Sequence, residues 1–166
     1  MTMSGFTLFD FSKESGTENW KIVNDGVMGG VSKATITTNV SGSIIFKGNV
    51  SLDNNGGFSS IRYNFSGKEI KSYSKVQIRL KGDGKRYQFR LKRNQSDRHA
   101  YVSYFKTTNE WQTITINLKD LYPTFRGRNL DMNSYEADYF EEIAFLIANK
   151  VNESFQLEIK NLILIK

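Results

Sequence analysis

Short apolar runs with a period of two, cut by turns rich in glycine and asparagine, fill most of this sequence. Lys75–Lys81 sets Val76, Ile78 and Leu80 against Gln77, Arg79 and Lys81. Residues 86–93 set Tyr87, Phe89 and Leu91 against Arg86, Gln88, Arg90 and Lys92. Residues 111–118 alternate Ile114, Ile116 and Leu118 with Thr113, Thr115 and Asn117. Strict alternation puts one set of side chains on each face of an extended strand. Further strands are expected at 6–11, 31–38, 43–52, 58–65, 100–106, 141–148 and 155–166. The run Ile143-Ala144-Phe145-Leu146-Ile147-Ala148 has no polar face, so burial on both sides is expected. About ten short strands with turn signals between them predict an antiparallel β-sandwich.

Some finer expectations follow from the same reading. Gly82-Asp83-Gly84 between two alternating runs predicts a β-hairpin. Arg79, Lys81, Arg86, Arg90 and Lys92 would then share its outer, basic face. Asn133, with Glu136 three residues on, reads as the N-terminal cap of one short helix over 133–142. Residues 119–131, carrying Pro123, read as a long loop. A chain of 166 residues at 39% hydrophobic content fills one core, and a single domain over 1–166 is expected.

The stretch 20–32, Trp-Lys-Ile-Val-Asn-Asp-Gly-Val-Met-Gly-Gly-Val-Ser, does not fit the alternating pattern. It reads as a compact loop pinning Trp20 against the start of a strand. Asn24 and Asp25 hydrogen-bond nearby backbone, and Gly26, Gly29 and Gly30 supply the turns. Two readings of Asn24 and Asp25 stand side by side: a polar contact for a ligand or partner on a rigid loop, or satisfaction of the loop's own backbone while Trp20 and Met28 fill a gap between sheets.

This stretch resembles the signature of the complex I intermediate-associated protein family. Asn55-Gly56-Gly57-Phe58-Ser59-Ser60 resembles the family's second glycine motif, and Lys81-Gly82-Asp83-Gly84-Lys85-Arg86-Tyr87 its third. Glu110-Trp111-Gln112 and Phe125-Arg126-Gly127-Arg128 resemble the fourth and fifth. The five pieces occur in family order over nearly the whole chain. The resemblance implies a jelly roll of the galactose-binding-like type, related in fold to carbohydrate-binding modules, with no established catalytic reaction. It also implies a protein partner, with subunits of a respiratory complex as the model.

The chemistry of the side chains narrows the function classes. Cysteine is absent, which excludes disulfides, thiolate metal sites and a cysteine nucleophile. His99 is the sole histidine and lacks the partners for a metal cluster; no glycine pattern of a nucleophile elbow surrounds any serine. Asp25, Asp53 and Asp83 stand in turns, where local hydrogen bonding accounts for them. Their spacing is not that of an EF-hand, and the question of a structural calcium stays open because oxygen ligands alone would hold it. No catalytic residue, metal or cofactor is therefore expected, and the chain reads as a non-enzyme.

The net charge of +6 favours acidic partners in general. No secretion signal, amphipathic presequence or membrane-length apolar run is seen, so a cytoplasmic location without a membrane span is expected. Candidate contact residues are Trp20, Asn24, Asp25, Met28, Arg62, Arg86, Arg90, Trp111, Arg126 and Arg128. Gly56, Gly57, Gly82 and Gly84 join Gly26, Gly29 and Gly30 as loop formers. The expected function is a partner-binding, assembly-factor or chaperone-like protein. The alternative is a carbohydrate-binding module, for which Trp20 and Trp111 are the ring platforms to examine. A nucleic-acid role is disfavoured, since no RNA-recognition aromatic motif appears.

Overall fold

The computed structural model describes residues 5–11, 20–24, 30–126 and 128–166. Its strands are β1 Gly5–Asp10, β2 Trp20–Asn24, β3 Lys33–Asn39, β4 Ser43–Val50, β5 Ser59–Glu69, β6 Lys75–Lys81, β7 Arg86–Lys92, β8 Ala100–Lys106, β9 Trp111–Asn117, β10 Tyr122–Phe125, β11 Arg128–Asn129, β12 Tyr139–Ile147 and β13 Glu153–Ile165. They form two antiparallel sheets stacked as a jelly roll. One runs β3-β4-β13-β6-β9. In it β4 pairs with Glu153–Ile159 of β13 and β1 with residues from Asn161 to Ile165. The other runs β11-β10-β8-β7-β12-β5-β2.

Alternation builds the core. Val76, Ile78 and Leu80 of β6 face Tyr87, Phe89 and Phe145 from the opposite sheet, all fully buried. Phe145 touches the rings of Trp20, Phe89 and Phe105, and Trp20 also packs on Phe9 and Tyr63. Aromatic pairs in tilted and edge-on contact add to the burial of apolar area that holds the sheets together.

Four local expectations fail, each for a tertiary reason. β6 and β7 do not pair: β6 lies between β13 and β9, and β7 between β12 and β8. The Gly82-Asp83-Gly84 link carries the chain from one sheet to the other. Gly82 packs so closely that a Cβ there would stand 2.1 Å from the Thr107 Cβ, and Gly84 takes φ +86°. Asp83 clasps both sheets. Its carboxylate accepts the Gln156 N–H of β13 at 2.8 Å and the Tyr87 hydroxyl of β7 at 3.0 Å.

Nor does the helix over 133–142 form; the described residues contain no α-helix, only short 3-10 turns at Asp53–Asn55 and Leu118–Asp120. Ala137 sits at φ 57°, outside helical geometry, and the Tyr135 N–H donates to Leu121 O. The Tyr135 ring is buried beside Tyr101, with its hydroxyl donating to Tyr139 O. Arg93 grips Asp138 at 2.9 Å. These distant anchors outweigh a local cap.

The loop expected over 119–131 contains the small hairpin β10–β11 at the edge of the seven-stranded sheet. Finally, Trp20–Asn24 of the glycine-rich stretch is itself a strand, with Trp20 opposite Tyr63.

Candidate functional site

The face of the seven-stranded sheet turned away from the core differs from an ordinary solvated face. Register puts Lys21, Arg62, Ala144, Arg90, Val102 and Tyr122 side by side across six strands. The next row holds Val23, Ser60, Leu146, Gln88 and Tyr104. Many of these outward residues are small and buried: Ser60 is 0% exposed, Val102 1%, Ala144 2%, Gln88 6% and Leu146 6%. No second layer of the described strands lies over them, so they form a floor among longer side chains. Of the run 143–148 expected to be buried on both sides, Ile143–Ile147 is buried in this way and Ala148 is half-buried past the strand end.

Arg62 and Arg90 flank Ala144, two strand spacings apart, about 9–10 Å between backbones. Ala144 between them is 2% exposed, so its neighbours close over it. Arg90 donates to Gln88 Oε1 at 2.8 Å, and Arg62 Nε to Ser60 Oγ at 3.3 Å. Among the described residues neither guanidinium is ion-paired. Burial, and then the like charge of Arg62, push the Arg90 pKa down to about 10, against weaker opposite effects from Tyr104 and Glu142. Arg86 lies over the Tyr104 ring, 4.1 Å from its centroid. Tyr122, diagonal to Tyr104, has its pKa raised by burial first, then by Tyr104.

The sequence candidates divide as follows. Arg62, Arg86 and Arg90 are gathered on this face. Arg79 and Lys81 are not, because β6 belongs to the other sheet; the single basic hairpin face does not exist. Arg126 and Arg128 sit on the β10–β11 hairpin at the edge of the same seven-stranded sheet, with Arg126 packed on the Phe125 ring at 5.3 Å. Trp20 is 6% exposed, a core residue with no face to offer a ligand. Trp111 lies on β9 of the other sheet, half-buried with Arg79 6.0 Å from its ring.

Asn24 donates to Ser32 O at 3.3 Å and accepts from Ser59 Oγ at 2.5 Å, which is the loop-holding role. Asp25, Gly26, Met28 and Gly29 lie outside the described residues. Gly30 is described and half-buried. Gly57 takes φ +134°, while Gly56 has ordinary φ and donates its N–H to Asp53 O. Sequence reading missed Gln88, Ala144 and Tyr122. The apolar run around Ala144 carried the one usable signal, a small residue set between large ones in a strand expected to be buried twice over.

The remaining titratable groups do not gather. His99 lies 4.0 Å from Asp97 and edge-on to Tyr101. Among the described residues no three His, Asp or Glu side chains meet as a metal site. Nor is any helix there long and apolar enough to cross a membrane.

Two stacked antiparallel sheets make this a jelly roll. The family 11 carbohydrate-binding module from Clostridium thermocellum, in complex with a β-1,3-1,4-mixed-linked tetrasaccharide, superposes with a TM-score of 0.73 at 19% identity, over 99% of this chain and 97% of that one. The family 11 module of the cellulosomal cellulase Lic26A-Cel5E of the same organism gives 0.73 at 19% identity, over 99% and 96%. A variant of a family 29 module complexed with mannohexaose gives 0.61 at 11% identity, over 99% and 92%. At these identities the likeness is one of fold. No curated protein matches the sequence. Residues 9–159 match the family model described as Complex I intermediate-associated protein 30, and the chain belongs to that family.

Proposed function

We propose that this protein is a non-catalytic, assembly-factor-like binder that holds a protein partner on the outer face of its seven-stranded sheet. The observation that carries this reading is the pair Arg62 and Arg90: two guanidiniums kept side by side over a buried floor, neither ion-paired among the described residues, with Glu142 one row away. Holding charge there opposes folding, because burial and like charge both disfavour it. A partner carrying the opposite charge relieves that cost. Membership of the complex I intermediate-associated family makes subunits of a respiratory complex the first partners to test.

The carbohydrate alternative asks for exposed ring faces on this sheet. Trp20 is in the core and Trp111 is on the other sheet; Tyr104, 39% exposed, is a ring this face does offer, with Arg86 over one side of it. Those positions favour a protein partner over a neutral sugar. The test is affinity purification of tagged protein from its host, with quantitative mass spectrometry against an untagged control, beside a neutral-glycan binding screen. Respiratory-complex subunits enriched reproducibly are expected. Glycan binding with no protein enriched would overturn the reading in favour of the carbohydrate module.

A further inference from the structure

We infer that the outer face of the seven-stranded sheet receives an acidic, extended segment of its partner, whose carboxylates are taken by Arg62 and Arg90 across Ala144. This inference rests on the partner-binding reading above and specifies its chemistry. A guanidinium presents donors in a planar fork that matches a carboxylate, and such charge-assisted pairs are the strong ones. Arg90 uses one donor on Gln88 and Arg62 one on Ser60, which fixes both side chains while other donors stay available. Fixed side chains lose less freedom on binding.

The spacing of the two arginines suits an extended segment, which would lie over the buried residues Ser60, Ala144 and Val102. Side chains at alternate positions of an extended segment stand about 7 Å apart, within reach of two arginines set two strand spacings from each other. Lys21 lies in the Arg62 row, and Arg86 lies on the same face beside Tyr104. The carboxylate facing this surface is Glu142, set in register between Asn64 and Lys92, one row away from Ala144.

A polynucleotide is the poorer fit. It calls for a continuous cationic track with free stacking rings, whereas here Lys92 is opposite Glu142 and the Tyr104 ring carries Arg86. An acidic polysaccharide would share the carboxylates but would want the same free ring faces.

The test is fluorescence anisotropy with a labelled peptide alternating Glu and Thr, beside a Gln-Thr peptide, polygalacturonate as competitor and a single-stranded oligonucleotide. Wild type, Arg62→Gln, Arg90→Gln and Arg79→Gln are compared after circular dichroism has checked their folding. The Glu-Thr peptide is expected to bind wild type and the Gln-Thr peptide to bind far more weakly. Arg62→Gln or Arg90→Gln should each weaken binding roughly tenfold or more, and Arg79→Gln on the other sheet should leave it unchanged. Should Arg90→Gln fail to fold, Arg62→Gln and Arg62→Lys carry the comparison.

Equal affinity for wild type and a folded Arg62→Gln variant would overturn the inference. So would arginine-dependent binding of the oligonucleotide or polygalacturonate without binding of the peptide. The two readings separate in the host purification. A partner captured equally by wild type and Arg62→Gln sinks the acidic-segment inference and leaves partner binding standing. Capture of no partner by wild type sinks the partner reading, whatever the peptide does.

Discussion

The two sheets of this protein are built from the same alternating strands, yet their outer faces differ in kind. On the six-stranded sheet the outward residues range from exposed Lys47, Thr113 and Thr115 to buried Ser43 and Glu158, and the Glu158 carboxylate is satisfied within the face. Glu158 accepts from Ser43 Oγ and from Asn39 Nδ2, the latter at 2.9 Å, and stands opposite Lys81 in register. Arg79 reaches Thr113 on the neighbouring strand. On the seven-stranded sheet many outward residues are buried, and Arg62 and Arg90 have hydroxyl and amide partners but no ion pair among the described residues. Among the described residues neither Arg79 on the one face nor Arg62 and Arg90 on the other is paired with a carboxylate: Arg79 has a hydroxyl partner, as Arg62 does. What sets the seven-stranded face apart is that two arginines flank one position over buried residues. The physical lesson is that basic composition alone says little; what matters is where folding sets each base.

The largest effect available removes the contrast altogether. Phe145 is fully buried under the seven-stranded sheet and touches Trp20, Phe89 and Phe105. Phe145→Ala should cost about 3–5 kcal/mol, measured as a lower midpoint in urea, and both faces should be lost together. A midpoint within error of wild type would mean that the core is not shared in this way.

A smaller effect tests the joint between the sheets. Gly82→Val places carbon where the Thr107 side chain already stands, and Thr107 is held by its own bond to Lys85 O at 2.7 Å. Overpacking of this kind costs about 1–3 kcal/mol. Thermal unfolding should shift down accordingly. Loss of peptide binding by a variant that still melts cooperatively would show that the Asp83 link also sets the geometry of the arginine face.

The smallest effect concerns acid. The Arg93 guanidinium, through its hydrogen bonds, holds the Asp138 carboxyl below its ordinary range. A carboxyl lowered in the folded state binds protons less readily than in the unfolded chain. Its stabilising contribution is therefore present above the unfolded pKa and fades as pH falls through the folded one. Melting temperature followed from neutral pH into that acid window should drop less steeply for Asp138→Asn than for wild type. Because Arg93 is partly exposed, the difference should be modest and should shrink in salt. Parallel pH profiles would show that the pair contributes nothing measurable. Arg93 and Asp138 lie outside the strands that carry Arg62 and Arg90 on their outer face, so peptide binding at neutral pH should stay intact.

The contrast between the faces was partly legible in the chain. Arg62, Arg86 and Arg90 stand out as basic residues in or beside alternating runs, and the all-β class follows from those runs. Ala144 within an apolar strand hinted at a surface needing a small residue. What misled was pairing. The runs on either side of Gly82-Asp83-Gly84 look like a hairpin because short glycine links usually make one. Only the grip of Asp83 on Gln156 and Tyr87, and the room that Gly82 leaves for Thr107, send them to different sheets.

Sequence alone determined most of the strands, the antiparallel sandwich and the family, because a two-residue period and ordered glycine motifs are local properties of the chain; β2 and the β10–β11 hairpin, set in stretches that read as loops, escaped it. Tertiary structure decided which strands are neighbours, and with that which charges meet. It brought Arg62 to Arg90 through β12, separated both from Arg79, took Trp20 into the core, and overrode the helix cap at Asn133 with the burial of Tyr135 and the Arg93–Asp138 bond. A strand's side-chain direction is set by its own backbone; its neighbours are set by the packing of residues far away in sequence.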